Sequence, residues 1–189
     1  VPTRELVIQV VDRIKEFSSY MNVRVLGIYG GTNINTQKKA CSLGVDIIVA
    51  TPGRLYDLAA CRALQLKTVK QLVIDEVDVM LDLGFRTQLK NIFDLLPVQR
   101  QNIMFSATMT DEVDALINTF FVVPKRVNIA VSGARLENIS QTSYAVKNFN
   151  TKVNLLAHLL SDKDLFSKVI VFISSKRLAD RLYEYLGDK

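Results

Sequence analysis

Three acidic residues directly follow a short apolar segment near the middle of the chain. The apolar residues 72–74 lead into Asp75, Glu76 and Asp78, with Val77 between the acids. Carboxylates at the end of a buried strand cost free energy unless a cation lies beside them, and α/β proteins bind ligands at this end of parallel strands. In nucleotide hydrolases the first such acid holds Mg²⁺, commonly through water, and the next can activate the attacking water. The alternative is an acidic helix start, because acids stabilise a helix amino terminus.

Small hydroxyl residues follow the next apolar segment. Ser106 and Thr108 flank Ala107 at the end of a predicted strand. Hydroxyl groups there can hydrogen-bond an acidic cluster and sense a bound nucleotide. Thr108 or Thr110 can also cap a following helix, and both roles can hold together.

Three further segments join turn residues to groups that can approach a phosphate. Residues 2–6, Pro-Thr-Arg-Glu-Leu, and residues 51–54, Thr-Pro-Gly-Arg, are each typical of a helix entry with free backbone N–H groups. Gly30 and Gly31 follow a predicted strand and would let the backbone pass very close to a ligand. Each segment alone is weak evidence, because Gly, Pro and Thr at turns usually indicate only turns.

The elements that position these residues alternate between strands and helices. Between β-branched segments, apolar residues recur at helical spacing, which predicts βαβ units and a mainly parallel sheet with helices on both faces. The predicted strands are residues 23–29, 46–50, 71–75, 102–106, 126–130, 142–146 and 168–173. Residues 130–135 are small and polar with no apolar period, and we place a linker at 131–138 between a domain at 1–130 and the beginning of another at 139–189.

Composition narrows the class of protein. The 189 residues are 49% hydrophobic, with a net charge of +5, which suits a polyanionic partner or an ordinary solvated surface equally well. The longest apolar segments are too short to span a membrane. One histidine, His158, excludes His-rich metal sites, and the two cysteines lack metal-ligand spacing. Unpaired thiols favour a reducing location, so we expect a cytoplasmic protein, with the nucleus as the alternative.

Taken in order, these motifs resemble those of the DEAD-box ATP-dependent RNA helicases. The resemblance covers nearly the whole chain: residues 79–85 are similar to the family's sequence after the acids, and residues 139–144 to the opening of its second lobe. Residues 169–177 are similar to that lobe's first RNA-contact motif. The resemblance implies an α/β fold with a partial first RecA-like lobe and the start of a second. It also implies RNA-stimulated ATP hydrolysis coupled to RNA unwinding or remodelling, with ATP and Mg²⁺ as cofactors.

The resemblance also assigns roles to particular residues. Asp75, through water, and Glu76 would handle Mg²⁺ and the hydrolytic water, while Asp78, Ser106 and Thr108 would couple the state of ATP to lobe closure. RNA would be held by its backbone, with little sequence preference. The residues implied in RNA binding are Thr3, Arg4, Gly30, Gly31, Thr51, Gly53, Arg54, Ser174 and Ser175. Neither protein partners nor the physiological RNA can be inferred from these residues.

The chain also departs from the family pattern. Val77 stands where the family usually has Ala, and because it is also apolar we expect the acids to keep their places. No Gly-Lys pair occurs anywhere, so the phosphate loop is missing. The family's adenine-reading glutamine segment and the arginine motifs of its second lobe are missing too. We therefore expect a fragment that keeps the RNA-facing half of the first lobe and lacks most of the residues that bind ATP.

This absence predicts that residues 1–189 alone do not turn over ATP, because phosphoryl transfer depends on positioning and charge stabilisation by those missing groups. Phosphate release by the purified chain, with and without RNA, checks this expectation. RNA-stimulated hydrolysis by residues 1–189 would show that it is wrong.

Two other functions compete with a helicase. One is a catalytically dead RNA-binding module that keeps the loops for binding the RNA backbone and does not hydrolyse ATP. The other is a different nucleotide hydrolase that shares only the acidic strand end, and the joint presence of Thr-Pro-Gly-Arg and Ser-Ala-Thr argues against it. The coding sequence upstream of Val1 separates the first two, because a strand followed by Gly-x-Gly-Lys-Thr would decide for the helicase.

Overall fold

Strands and helices alternate through the first two-thirds of the chain, as the sequence predicts. The computed structural model describes residues 1–129 and 139–187. They fall into two units, Val1–Val127 and Asn128–Lys189. The predicted linker at 131–138 lies outside the described residues, so the domain bounds stay a prediction. The elements are α1 (Arg4–Phe17), β1 (Val25–Ile28), α2 (Ile34–Ser42), β2 (Ile47–Ala50), α3 (Pro52–Ala60), β3 (Gln71–Ile74), α4 (Val77–Asp82), α5 (Arg86–Leu95), β4 (Gln101–Met104), α6 (Asp111–Phe120), α7 (Phe149–Leu160) and α8 (Lys176–Gly187).

The strands of the first unit pair in parallel. β1 lies beside β2, with Ile28 opposite Ala50, and β3 lies beside β4, with Ile74 opposite Met104. Among the described residues these are two separate two-stranded sheets rather than one continuous ladder. On each sheet the two carboxyl ends meet at one edge, so the residues that follow the paired strands are brought together.

Helix α5 ties the two sheets together through its apolar face. Leu89 and Phe93 pack with Ile74 of β3, whereas Ile92 and Leu96 pack with Ile28 of β1. These positions are three or four residues apart, the spacing of one side of a helix. α1 covers β1 and β2 in the same way, through Val7, Val11 and Val49. The core thus holds both strand edges in place beneath the candidate residues.

Three predicted strands are wrong over their described residues. Residues 126–129, 142–146 and 168–173 have no strand structure, and Ala130 lies outside the described part of the chain. Ile170 and Phe172 are 82% and 93% exposed. A strand needs a neighbour to accept and donate its backbone hydrogen bonds, and no described residue pairs with these segments. A β-branched composition alone is therefore not sufficient to predict a strand.

The second unit contains helices α7 and α8. Val153 and Leu182 are its buried apolar residues. The Arg181 guanidinium lies 5.2 Å from the ring centre of Phe149 and joins the two helices. None of the helices in the described ranges is both long and apolar enough to cross a membrane.

Candidate functional site

The acidic motif lies where β3 ends and α4 begins. Asp75 accepts a hydrogen bond from the Glu76 N–H at 2.9 Å. The Val77 N–H donates to the Phe105 carbonyl at 3.2 Å, which joins this turn to the segment after β4. Val77 is fully buried in the apolar core, so the larger side chain at this position packs inward, away from the carboxylates.

Asp78 joins the acidic motif to the hydroxyl motif after β4. Its carboxylate accepts from the Thr108 hydroxyl at 2.8 Å and from the Thr108 N–H at 2.9 Å. Burial alone would raise the pKa of Asp78, but hydrogen bonds from Thr108 and from the Val79 N–H hold this pKa below its usual value. The Ser106 hydroxyl also donates to the Thr108 carbonyl at 2.6 Å. The structure therefore brings Asp78, Ser106 and Thr108 into one hydrogen-bonded group.

Glu76 has an unusual backbone conformation for a residue with a side chain. Its φ of 53° and ψ of 49° lie in the left-handed region, which residues other than glycine seldom adopt. Such a conformation costs on the order of 1–3 kcal/mol and is concentrated at functional sites. The Glu76 side chain is exposed, so its carboxylate is open to solvent directly beside the Asp75–Asp78 group.

The oxygen ligands at this edge suit Mg²⁺ bound mainly through water. Within the described part of the chain, no three His, Cys, Asp or Glu side chains come together as a metal site. Mg²⁺ needs only one or two carboxylates when water and substrate phosphates supply its other ligands. Asp75, half-buried at the strand end, fits the single carboxylate that such a site requires.

Replacing Thr108 by Val should lower the free energy of unfolding by about 1.5 kcal/mol at pH 7, because a hydrogen bond to a carboxylate is lost. The pKa of Asp78 is depressed in the folded state, so its contribution is present above the unfolded value of about 4 and is lost as pH falls below it. Urea unfolding should therefore show the gap between variant and wild type closing as the pH is lowered from 7 to 3.

Thr119→Val is the matched control, because the Thr119 hydroxyl donates to a backbone carbonyl, that of Ala115, and not to a carboxylate. Its stability gap should not depend on pH in this range. A Thr108→Val gap that stayed constant down to pH 3 would contradict the charge-assisted bond.

Two helix starts meet at the carboxyl end of β2. The Val1 backbone nitrogen, just before α1, donates to the Ala50 carbonyl at 3.1 Å, and α3 begins directly after Thr51. Thr3 caps α1 by accepting from the Leu6 N–H. Among described residues, the N–H groups of Gly53 and Arg54 and the Thr51 hydroxyl have no hydrogen-bond partner. Free donors of this kind are what a phosphate at a helix start requires.

Both predicted arginines contact the glycine loop between β1 and α2. The Arg4 guanidinium lies 4.9 Å from the ring centre of Tyr29. Arg54 donates from Nη1 to the Thr32 carbonyl at 3.1 Å. The Arg54 side chain is only 12% exposed. Gly31 has φ of +78°, a conformation that needs glycine. The structure therefore brings Thr3, Arg4, Gly30, Gly31, Thr51, Gly53 and Arg54 to one edge of the β1–β2 sheet.

Two of these glycines are not required by packing within the chain. A Cβ atom at Gly30 would meet nothing within 4 Å, and one at Gly53 would only touch the Phe85 ring at 3.9 Å. Neither backbone has positive φ. Their lack of a side chain instead leaves the backbone open to whatever approaches this edge.

The basic and acidic groups belong to the same unit, Val1–Val127. Ser174 and Ser175 belong to the second unit and are exposed. Ser175 accepts from the Leu178 N–H at 3.4 Å at the start of α8.

Sequence reasoning missed three residues of the glycine loop network. Tyr29 and Thr32 flank the glycines, and Gln37 of α2 donates to both of them. An aromatic residue beside a glycine pair offered a weak signal for Tyr29. Gln37 had none, because a glutamine on a short helix usually faces solvent.

Comparisons with known proteins identify the family of this chain. The family model described as "DEAD/DEAH box helicase" matches residues 1–116. ATP-dependent RNA helicase DBP2 of Eremothecium gossypii is 38% identical over 98% of this chain and 34% of its own length. DBP2 of Vanderwaltozyma polyspora is 38% identical over 99% of this chain and 43% of its own. The chain thus spans well under half of each of these relatives.

Solved structures are similar over the whole chain. The crystal structure of a DEAD box protein from the hyperthermophile Methanococcus jannaschii has a TM-score of 0.66 and 34% identity, covering 100% of this chain and 50% of that one. The crystal structure of a hypothetical ATP-dependent RNA helicase from Sulfolobus tokodaii also has a TM-score of 0.66, with 29% identity over 98% of this chain and 54% of that one.

Proposed function

Since this chain belongs to the DEAD/DEAH box helicase family and has its RecA-like α/β fold, we propose that it is part of an ATP-dependent RNA helicase. The observation that carries the proposal is that two different groups of side chains follow the carboxyl ends of the two parallel strand pairs, β1–β2 and β3–β4. Asp78, after β3, is hydrogen-bonded to Thr108, after β4; we call this end of the β3–β4 sheet the acidic edge. The glycine loop after β1 contacts Arg4 and Arg54; we call this end of the β1–β2 sheet the basic edge.

The acidic edge would serve ATP hydrolysis. When bound, Mg²⁺ would neutralise charge developing on the phosphates, and the Asp75 carboxylate is the group that would hold it, through water. Glu76 would accept the proton of the attacking water at its exposed carboxylate. Asp78 would not act on substrate directly. Bonded to Thr108, it would join the acidic turn to residues 106–108 and so couple the nucleotide state to lobe closure.

The basic edge would serve RNA binding through the backbone of the nucleic acid. Arg4 is exposed, and Arg54 has further N–H donors beyond the one that Thr32 accepts. The free N–H groups of Gly53 and Arg54 and the open backbone of Gly30 offer contacts that any sequence can use. We therefore propose that binding has little sequence preference. Ser174 and Ser175 would add contacts from the second lobe.

The location in the cell also remains a proposal. Cys41 and Cys61 are free thiols, which supports a reducing compartment such as the cytoplasm, with the nucleus as the alternative.

A catalytically dead RNA-binding module is the second candidate, because the loop that contacts Arg4 and Arg54 could bind RNA without ATP hydrolysis. ATP-dependent displacement of one strand from a short RNA duplex by the full-length protein distinguishes the two. The helicase proposal predicts displacement that requires ATP and is absent with a non-hydrolysable analogue. A protein that binds RNA and displaces nothing would favour the module.

A further inference from the structure

The side chain of Gln37 is buried behind the glycine loop. Only 8% of the residue is exposed. Its Nε2 group donates to the Tyr29 carbonyl at 2.9 Å and to the Thr32 hydroxyl at 2.6 Å. The Tyr29 carbonyl can only accept, and this fixes which end of the amide faces the loop. One side chain from α2 therefore holds both sides of the turn that contains Gly30 and Gly31.

Gln37 binds the same two residues that the arginines contact. Arg4 lies over the ring of Tyr29, and Arg54 donates to the carbonyl of Thr32. Tyr29 and Thr32 are also joined directly, because the Thr32 hydroxyl donates to the Tyr29 carbonyl at 3.3 Å. A change in the position of the loop would therefore move the partners of both arginines at once.

The amide makes these bonds while its own oxygen stays unsatisfied. Gln37 Oε1 is buried and has no hydrogen-bond partner within the described residues, which is an unfavourable state for a polar atom. A methionine of similar length would fill the space without this unpartnered atom. Methionine lacks the two N–H donors. The advantage of glutamine over methionine at this position is therefore its hydrogen bonds to the loop.

We propose that Gln37 is a positioning residue of the RNA-binding edge, acting through Tyr29 and Thr32 on Arg4 and Arg54. The proposal rests on the proposed function, in which this edge binds the RNA backbone. Gln37 is buried and would not touch RNA itself. Replacing Gln37 by a neutral residue would leave the charges of the surface unchanged and would alter only the orientation of the Arg4 and Arg54 guanidinium groups.

The test measures single-stranded RNA affinity of the full-length protein as a function of salt. Gln37→Met should weaken binding about tenfold, and the salt slope should fall because misplaced arginines release fewer counterions. In a background that already carries Arg4→Ala and Arg54→Ala, the same change should have little further effect. This loss of additivity is expected only when the residues act together, and a purely structural role would not produce it.

Controls separate the possible failures. Gln9→Met, on the exposed face of α1, should leave affinity unchanged. A full additional loss in the double-arginine background would overturn the positioning role, as would unchanged affinity of Gln37→Met. If the two arginine substitutions themselves leave RNA affinity unchanged, the proposed function of this edge fails instead.

A second variant covers the case in which Gln37→Met folds poorly. Gln37→Glu has no donor when ionised and regains one when its carboxyl group is protonated. Burial at this position should raise the pKa of the new carboxyl group, so its RNA affinity relative to wild type should be low at pH 7 and should recover at pH 5. A deficit that is the same at both pH values would overturn the role of the donated hydrogen bonds.

Discussion

Replacing Glu76 by Gln in the full-length protein should lower the rate of ATP hydrolysis about 10²- to 10⁴-fold, the contribution typical of a general base. Glutamine keeps the shape of the side chain but cannot accept the proton of the attacking water. The left-handed backbone of residue 76 should be equally tolerable with either side chain, so folding should be unchanged. ATP and RNA affinities should also stay near wild type, because no proposed binding contact is removed.

Steady-state phosphate release and equilibrium nucleotide binding together check this prediction. Glu16→Gln is the matched control, because Glu16 is exposed on α1 and forms an ion pair with Arg13, away from the acidic motif. Hydrolysis by Glu76→Gln near the wild-type rate would show that another group activates water. A parallel loss of ATP binding would instead indicate a structural effect.

The combined change Arg4→Ala and Arg54→Ala should weaken single-stranded RNA binding about 100-fold. Each arginine is expected to make one charge-assisted contact with a phosphate, worth about tenfold in affinity. The slope of log affinity against log salt should fall by about 1.4, because each lost contact on a single strand removes about 0.7. Arg54 is largely buried against the Thr32 carbonyl, so part of its effect should come from release of the glycine loop.

The loss should be similar for RNAs of different sequence, because phosphate contacts carry no base information. Arg13→Ala with Lys67→Ala is the control, since both residues are exposed and the net charge changes by the same amount. A loss confined to one RNA sequence would indicate base recognition. An equal loss in the control would show that the effect is only one of overall charge.

The strands that position the site could be predicted because their apolar segments alternate with helical stripes. Residues 25–28, 47–50, 71–74 and 101–104 are strands within or next to the predicted segments. Residues 142–146 and 168–173 look the same in sequence, yet they are not strands. A segment forms a strand only where a neighbouring strand can accept and donate its backbone hydrogen bonds. Composition does not show whether such a neighbour is present.

The site was predictable where a residue type carries its own chemistry. Acids at a strand end and glycines before a helix could be found directly, but their connections could not. Asp78 meets Thr108 across 30 positions of sequence, and Gln37 reaches Tyr29 only because α2 folds back over the end of β1. The left-handed conformation of Glu76 was also hidden, since local preference is against it.

In the proposed function, RNA binding at the basic edge and ATP hydrolysis at the acidic edge are coupled. The most direct measurement is the rate of phosphate release by the full-length protein at saturating ATP, with and without unstructured single-stranded RNA. We expect the rate to rise severalfold or more with RNA, and this rise should require much higher RNA concentrations when Arg4 and Arg54 are both alanine. A rate that is the same with and without saturating RNA would contradict it.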